Sequence, residues 1–472
     1  MERRTFLKIL SSAGIVSLVS PTFAMEVCKN KVSKSSSALL ESAFRNPPFS
    51  SGVYTWWHWM NGNITKDGIT RDLEAMKANG IAGYQLFEAG SGIPIGPVES
   101  LSDEWVDLIL HTLKESERLG LEFAMHNCPG WSSSGGPWIT PDKAMQIITW
   151  SETKITGGKQ VRIQLPTPKH MFDYYIDTYC LAIPANMKVI PRLSILELSN
   201  RLDKDGVLTW DVPTGEWLIM RFGQTAKDQK NKSAPSKSTG LDCDKFSTEA
   251  LDYHLNCMFK RLMPTMEKIA KHSKIGLLID SYETGDQDWT SDMPAYFEQS
   301  HGYELYPFLP VLANKIVESE ESTKRFLFDF RRVRADMFAE RYYGHFQKRC
   351  KEKGIITYTE PYGGNMMEEL QVAQQLDINM GEFWCGQTVL WANYKYNRTV
   401  KQVASIAHTL GGKVVGAEAF TSEPDADKWL QYPYALKSLG DYMFTRGLSR
   451  IYFHRFAHQP HPTACLLYTS DA

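Results

Sequence analysis

The strongest constraint in this sequence is a rhythm. Eight short apolar runs recur at residues 53–60, 83–89, 122–128, 276–283, 355–362, 378–384, 414–420 and 450–454. Most are followed by an amphipathic stretch that stops at glycine. Residues 67–79 place Ile69, Leu73 and Met76 at helical spacing ahead of Gly80. Residues 105–119 stop at Gly120, 323–353 at Gly354, 400–410 at Gly411, and 434–446 at Gly447. Buried strands, each fed by a helix, predict an α/β fold of the (β/α)8 type over an open doubly wound sheet. No GxGxxG follows the first strand. Gly411-Gly412-Lys413 is not a phosphate loop, because Val414 stands where Ser or Thr is needed.

Between the third and fourth runs the rhythm breaks. Residues 147–153, 161–165, 174–183, 193–198, 208–212 and 217–222 read as strands. Turn signals such as Gly157-Gly158 and Asp205-Gly206 separate them. An antiparallel β domain inserted after strand three is expected. The domain plan is then 49–145 for the first part of the barrel, 146–227 for the insert and 228–464 for the rest. The Lys/Ser-rich residues 227–238 read as a mobile loop.

Both ends stand apart from this plan. Arg3-Arg4 and Phe6-Leu7-Lys8, then an apolar run at 9–19 and small residues to Ala24, resemble a twin-arginine export signal over residues 1–24. The run is too short and too rich in Ser and Gly to span a membrane. A bacterial periplasmic or extracellular setting follows. Residues 465–472 resemble a translated sequencing adapter, so an artefactual tail is expected there. The formal charge is −2, from 52 basic and 54 acidic residues, which argues against a nucleic-acid partner. The eight cysteines lie far apart without a CxxC, so one or two disulfides at most are expected.

In a (β/α)8 barrel, function gathers where the strands end. Here those ends are polar: Trp57 and His58, Glu88, His126, Asp280 and Glu283, Glu360, Glu382, Glu418, and His454 with Arg455. Buried acids cost several kcal/mol unless paired or functional. Some could simply pair with Arg455 or Lys413. Two carboxyl groups facing each other across a barrel mouth suit glycoside hydrolysis, one donating a proton and the other activating water. Glu283 and Glu418, on strands four and seven, form the best pair. Asp280 reads equally as a pKa-raising neighbour of Glu283, a cap or an acceptor for a sugar hydroxyl. No HxH or HExxH suggests a zinc hydrolase, and no GxSxG suggests a serine nucleophile. Carboxyl oxygens at strand ends could hold Ca2+, with ligands that the sequence does not identify.

Several longer motifs resemble the glycoside hydrolase family 106 α-L-rhamnosidases. They are the 56–65 block beginning Trp56-Trp57-His58-Trp59, the 126–138 block beginning His126-Asn127-Cys128-Pro129-Gly130-Trp131, and Gly240-Leu241-Asp242-Cys243-Asp244-Lys245. Glu360-Pro361-Tyr362-Gly363-Gly364, Gly416-Ala417-Glu418-Ala419-Phe420-Thr421 and the 453–460 block complete the series. The resemblance covers about residues 49–462. It implies an inverting exo-enzyme that removes terminal α-L-rhamnose from a rhamnose-containing glycan, with a Ca2+ ion helping to hold sugar hydroxyls. It implies Glu283 as general acid and Glu418 as general base, and makes Asp280 and Asp329 further candidate acids. Asp329 falls in a helical stretch, where pairing with Arg332 or Arg325 is equally open. Members usually continue into C-terminal β domains, and none is recognisable here. A glycosidase for another deoxy or uronic sugar, or a carbohydrate-binding protein without turnover, are the competing expectations.

Overall fold

The computed structural model describes residues 34–461, except 132–133, 386–388, 413, 423–427 and 429. The signal-like segment, Cys28, Lys413 and the tail at 465–472 lie outside the described residues. The chain divides at Gly52/Val53. Before the division, the described residues form a helix, Lys34–Arg45, and a short turn, Phe49–Ser51.

After it, eight parallel strands close a barrel. They are β1 (Val53–Met60), β2 (Ile81–Ala89), β3 (Glu122–His126), β4 (Ile275–Ile279), β5 (Ile356–Thr359), β6 (Ile378–Trp384), β7 (Val415–Thr421) and β8 (Arg450–Ala457). Each pairs with the next, and β8 returns to β1 through Tyr54 opposite Tyr452. The eight-strand expectation holds, with strand ends moved by a few residues.

The helices form where the sequence signals them. In α1 (Lys66–Ala78), Thr65 accepts from the Gly68 amide at the start, and Ile69, Leu73 and Met76 are buried. Helix α2 (Asp103–Leu119) is capped by Ser102 and ends at Gly120 with φ 67°. Alternation along β1 divides its aromatics. Trp56 and His58 face the barrel mouth, whereas Trp57 reaches Asp72 of α1.

The insert follows β3. Gln146–Thr156, Glu216–Ala226, Ile176–Pro184 and Leu196–Glu197 make an antiparallel sheet, beside a hairpin-like pair, Lys159–Gln164 with Val207–Val212. Cys180, Ala182, Leu208, Trp210 and Ile219 form its core. The segment expected as a strand at 193–198 is a strand only at Leu196–Glu197, behind a 3-10 turn, Arg192–Ser194. The insert and barrel belong to one compact unit.

The Lys/Ser-rich segment corrects its own expectation. It is pinned, not loose. Buried Asn231 donates to Pro129 O (3.0 Å) and Ser238 O (3.1 Å) and accepts from the Gly240 amide (2.8 Å). The six described cysteines are free thiols. No helix among the described residues is long and apolar enough to cross a membrane.

Candidate active site

The C-terminal ends of the barrel strands surround a pocket of about 370 Å³. Trp56 and His58 enter from β1, Glu382 and Trp384 from β6, and Glu418 and Thr421 from β7. His454 and Arg455 come from β8, and Asp280, Ser281 and Glu283 from the segment leaving β4. Trp131 and Lys232 complete the wall.

Glu283 stands at the outer side, 38% exposed. Its Oε2 accepts from Lys232 Nζ at 2.8 Å and from Trp131 Nε1 at 3.2 Å. Its segment is anchored from both sides. Before it, the Tyr282 amide donates to Tyr362 O (2.9 Å). The close approach there requires Gly363, whose φ is 112° and where a Cβ would lie 2.4 Å from Tyr282 O. After it, Thr284 donates to Asp242 (2.9 Å) and Thr290 to Asp244 (2.7 Å). Asp242 is itself paired with fully buried Lys245 at 2.7 Å. The Gly240–Lys245 motif therefore works as a buried bracket beneath Glu283.

Glu418 sits deeper and is buried. Its Oε1 accepts from Thr421. Phe420 between them has φ 63°, a left-handed conformation unusual for an aromatic residue. That local kink turns Thr421 back toward Glu418. Glu382 is the in-register neighbour of Glu418 on the adjacent strand and accepts from Trp384 Nε1. Burial, then the Glu382 charge and Asp280, push the Glu418 carboxyl well above its ordinary range. Burial likewise raises Asp280, reinforced by Glu283 and Glu382. Glu360 is raised by burial, Asp280, Glu418 and Glu382. Strands β4 to β7 thus gather four buried acids.

The histidines remain uncharged. Burial, Arg455 and His454 hold His58 well below its usual value, and burial with Arg455 lowers His454 to about 3. Arg455 Nη1 lies 3.3 Å from His58 Nδ1. His58 Nε2 is buried at the pocket without a hydrogen-bond partner.

The pocket brings together Glu283, Glu418, Asp280, Glu382, His58, His454 and Arg455. Four expected site residues lie elsewhere. Trp57 donates to Asp72 at 3.0 Å, because its place in the strand alternation turns it toward α1. His126 stacks on Phe87 with centroids 5.2 Å apart, and its Nδ1 meets Cys128 O at 2.8 Å. Glu360 is fully buried behind the wall, accepting from Tyr362 at 2.5 Å. Asp329 lies on the helix Glu320–Met337, where it accepts from Tyr303 at 2.9 Å and faces His301 at 3.9 Å. Arg332 and Arg325 take Asp336 and Glu321 instead. Lys232 and Thr421 were missed as site residues. The cluster of Lys227, Lys230, Lys232 and Lys237 carries a signal, but its Lys/Ser-rich composition reads as a mobile loop.

The implied Ca2+ ion can be tested against these donors. Among the described residues, no three His, Cys, Asp or Glu side chains are gathered into a ready metal cage. The chemistry of the donors nevertheless fits. Asp280 Oδ1 and Glu360 Oε1 are buried carboxyl oxygens without hydrogen-bond partners, and hard oxygens suit Ca2+.

A closed parallel barrel with acids at its C-terminal mouth and tryptophans around them has the build of a glycoside hydrolase. The chain belongs to glycoside hydrolase family 106, whose α-L-rhamnosidase profile matches residues 45–173 and 169–466. A protein of Formosa agariphila, provisionally named a beta-glucuronidase, is 41% identical over 452 aligned positions, covering 89% of this chain and 38% of that one. The solved structure of a rhamnosidase from Novosphingobium sp. PP1Y superposes with a TM-score of 0.81 at 24% identity, covering 89% of this chain and 56% of that one. The chain thus spans 38% and 56% of the lengths of these two proteins.

Proposed function

We propose that this protein releases terminal α-L-rhamnose from glycosides or polysaccharides by an inverting two-carboxylate mechanism. The observation that carries this reading is that Glu283, from the segment leaving β4, and Glu418, on β7, line one tryptophan-walled pocket. Glu283, at the exposed side, is the general acid for the departing oxygen. Glu418, at the buried side, takes a proton from the attacking water. Neutral His58 and His454 hold sugar hydroxyls, and Trp56, Trp131 and Trp384 offer faces to the ring.

Glu418 must be ionised to serve as base, and its acidic neighbours oppose that. A bound Ca2+ ion, held by Asp280 and Glu360, would supply positive charge to the cluster and grip sugar hydroxyls. The twin-arginine-like start supports action outside the cytoplasm.

A second reading has one specific observation behind it. The Formosa relative is named for glucuronides. Arg455 in the pocket wall offers a cation that a uronate in the cleaved position could use. A panel of aryl glycosides separates the two, with Glu283→Gln and Glu418→Gln as controls. Cleavage of the α-L-rhamnoside that both variants abolish supports the first reading. Cleavage of the β-glucuronide alone supports the second.

A further inference from the structure

Two of the polar strand ends, Glu88 of β2 and His126 of β3, line a second, small cavity behind the pocket wall. Trp59 of β1 and Trp105 of α2 line it with them. Leu86, Met125 and Met258 close its apolar remainder. None of the four polar residues is more than 6% exposed. Each carries a buried atom without a hydrogen-bond partner: Glu88 Oε1, His126 Nε2, Trp59 Nε1 and Trp105 Nε1. Buried polar atoms are nearly always paired, with protein or with ordered water.

The bonds these side chains already make fix what the cavity can take. Glu88 Oε2 accepts from Ser100 Oγ at 2.8 Å, which leaves Oε1 as an acceptor. Burial keeps the His126 ring neutral, lowering it to about 4. Its Nδ1 meets Cys128 O at 2.8 Å, and the Cys128 amide approaches the same nitrogen at 3.3 Å. The shorter contact sets the tautomer: a carbonyl only accepts, so Nδ1 carries the proton and Nε2 is an acceptor. The two indole N–H groups only donate. The cavity therefore presents two donors and two acceptors. The indole protons oppose a metal ion, and the Glu88 carboxyl opposes an anion. A water molecule, with two O–H groups and two lone pairs, matches all four, and the volume of about 10 Å³ has room for one. Burial pushes the Glu88 carboxyl up to about 7, and Ser100 and then Trp105 pull it back only in part. Trp105 Nε1 thus lies near that carboxyl but outside hydrogen-bond geometry, a spacing that a bridging water spans.

One layer separates this cavity from the sugar pocket. His126 stacks on Phe87 with centroids 5.2 Å apart, and Phe87 lies 4.3 Å from Trp56 of the pocket wall. Cys128 and Pro129 line the cavity too, and the Gly130 amide donates to Glu88 O at 2.8 Å. Holding Glu88 and His126 in place therefore holds the turn at residues 127–131, which carries Trp131 into the pocket. We propose that the cavity binds one structural water molecule, bonded to Trp59, Glu88, Trp105 and His126, which fixes the Trp131-bearing turn. The site is independent of which sugar is cleaved.

A crystal structure of the wild-type protein tests the site. Density about 2.7–3.2 Å from all four atoms is expected. An absence of density there overturns the proposal, and so does an ion at about 2.0–2.4 Å from Glu88 and His126. Hydrogen exchange tests the role in the turn. Glu88→Met removes the side-chain acceptor but keeps the backbone oxygen that the Gly130 amide uses. Exchange of that amide should become about tenfold faster in Glu88→Met, with β6 across the barrel unchanged. Glu88→Gln keeps an acceptor oxygen and should stay near wild type. Trp105→Phe removes one donor with little change in packing and should act in the same direction as Glu88→Met, and it decides the matter where Glu88→Met does not fold. Unchanged Gly130 exchange in both Glu88→Met and Trp105→Phe, or an equal rise in β6, overturns the role of the water in the turn.

Discussion

Glu382 and Glu418 stand side by side on neighbouring parallel strands, paired in register, with both carboxyl groups buried at the barrel mouth. Two like charges at that spacing, away from water, oppose each other, and Glu418 holds its proton more firmly than an ordinary glutamate.

The stability of the protein should record this. A carboxyl raised in the native state keeps a proton that the unfolded chain releases. Its stabilising effect is complete below the unfolded value of 4.5 and is lost as pH rises through the native one. Asp280 and Glu360 act in the same sense. Buried neutral His58 and His454 act oppositely, but only below their ordinary value of 6.5. Above that, the carboxyl effect stands alone. Chemical denaturation from about pH 6.5 to pH 8.5 without divalent cations should show Glu382→Gln gaining on wild type as pH rises. A constant difference between the two would show that Glu382 does not load Glu418.

The roles of the two catalytic candidates separate through the leaving group. Each removes a proton-transfer contribution of about 10²- to 10⁴-fold when changed to glutamine. An acidic phenol leaves without protonation, so Glu283→Gln should be mild on an activated aryl rhamnoside and severe on a rhamnosyl disaccharide. Glu418→Gln should slow both to a similar degree, because water attack is needed in each. Steady-state kcat/KM on the two substrates checks this. The opposite pattern would exchange the roles.

Asp72 tests the corrected place of Trp57. Its Oδ2 accepts from Trp57 Nε1 (3.0 Å), from the Gln459 amide (3.1 Å) and meets His458 Nδ1 (2.7 Å). That one oxygen ties β1, α1 and the segment after β8 together where the barrel closes. Asp72→Ala should cost about 3 kcal/mol or more, since buried donors lose their acceptor. Trp57→Phe should cost about 1 kcal/mol and leave KM alone. Trp56→Ala, in the pocket wall, should raise KM. Denaturant midpoints and KM for the three variants give the comparison, and a raised KM in Trp57→Phe would return Trp57 to the sugar site.

The barrel was legible because buried parallel strands write themselves as apolar runs, and glycines mark where the helices stop. The edges were less so. The fourth run was read through Glu283, but β4 ends at Ile279, since the chain leaves the sheet as soon as Asp280 turns into the mouth. Strand-end acids pointed to the site, yet a motif does not say which face a residue takes. Trp56 and Trp57 look alike in sequence, and the alternation of β1 alone sends one to the pocket and the other to α1. Lys232 was hidden for another reason. Its importance comes from contacts with Trp131 and Glu283, 101 and 51 positions away, which no local pattern displays.

Calcium should couple to protons. Asp280, Glu360 and Glu418 are all held toward their protonated forms, and a cation among them must displace those protons to bind. Titration of chelator-treated protein with Ca2+ should therefore release protons, seen as binding heats that depend on the buffer. Apparent affinity should increase from about pH 5 to pH 7, in step with deprotonation of the carboxyl groups. The melting temperature should rise with added Ca2+, because the ion binds only the folded arrangement. Glu360→Gln, which removes one of the orphaned oxygens from service as a charged ligand, should weaken binding without emptying the pocket of its catalytic pair. Chelated protein that takes up no Ca2+ and keeps its melting temperature when Ca2+ is added would show that these acids serve the reaction as proton carriers alone.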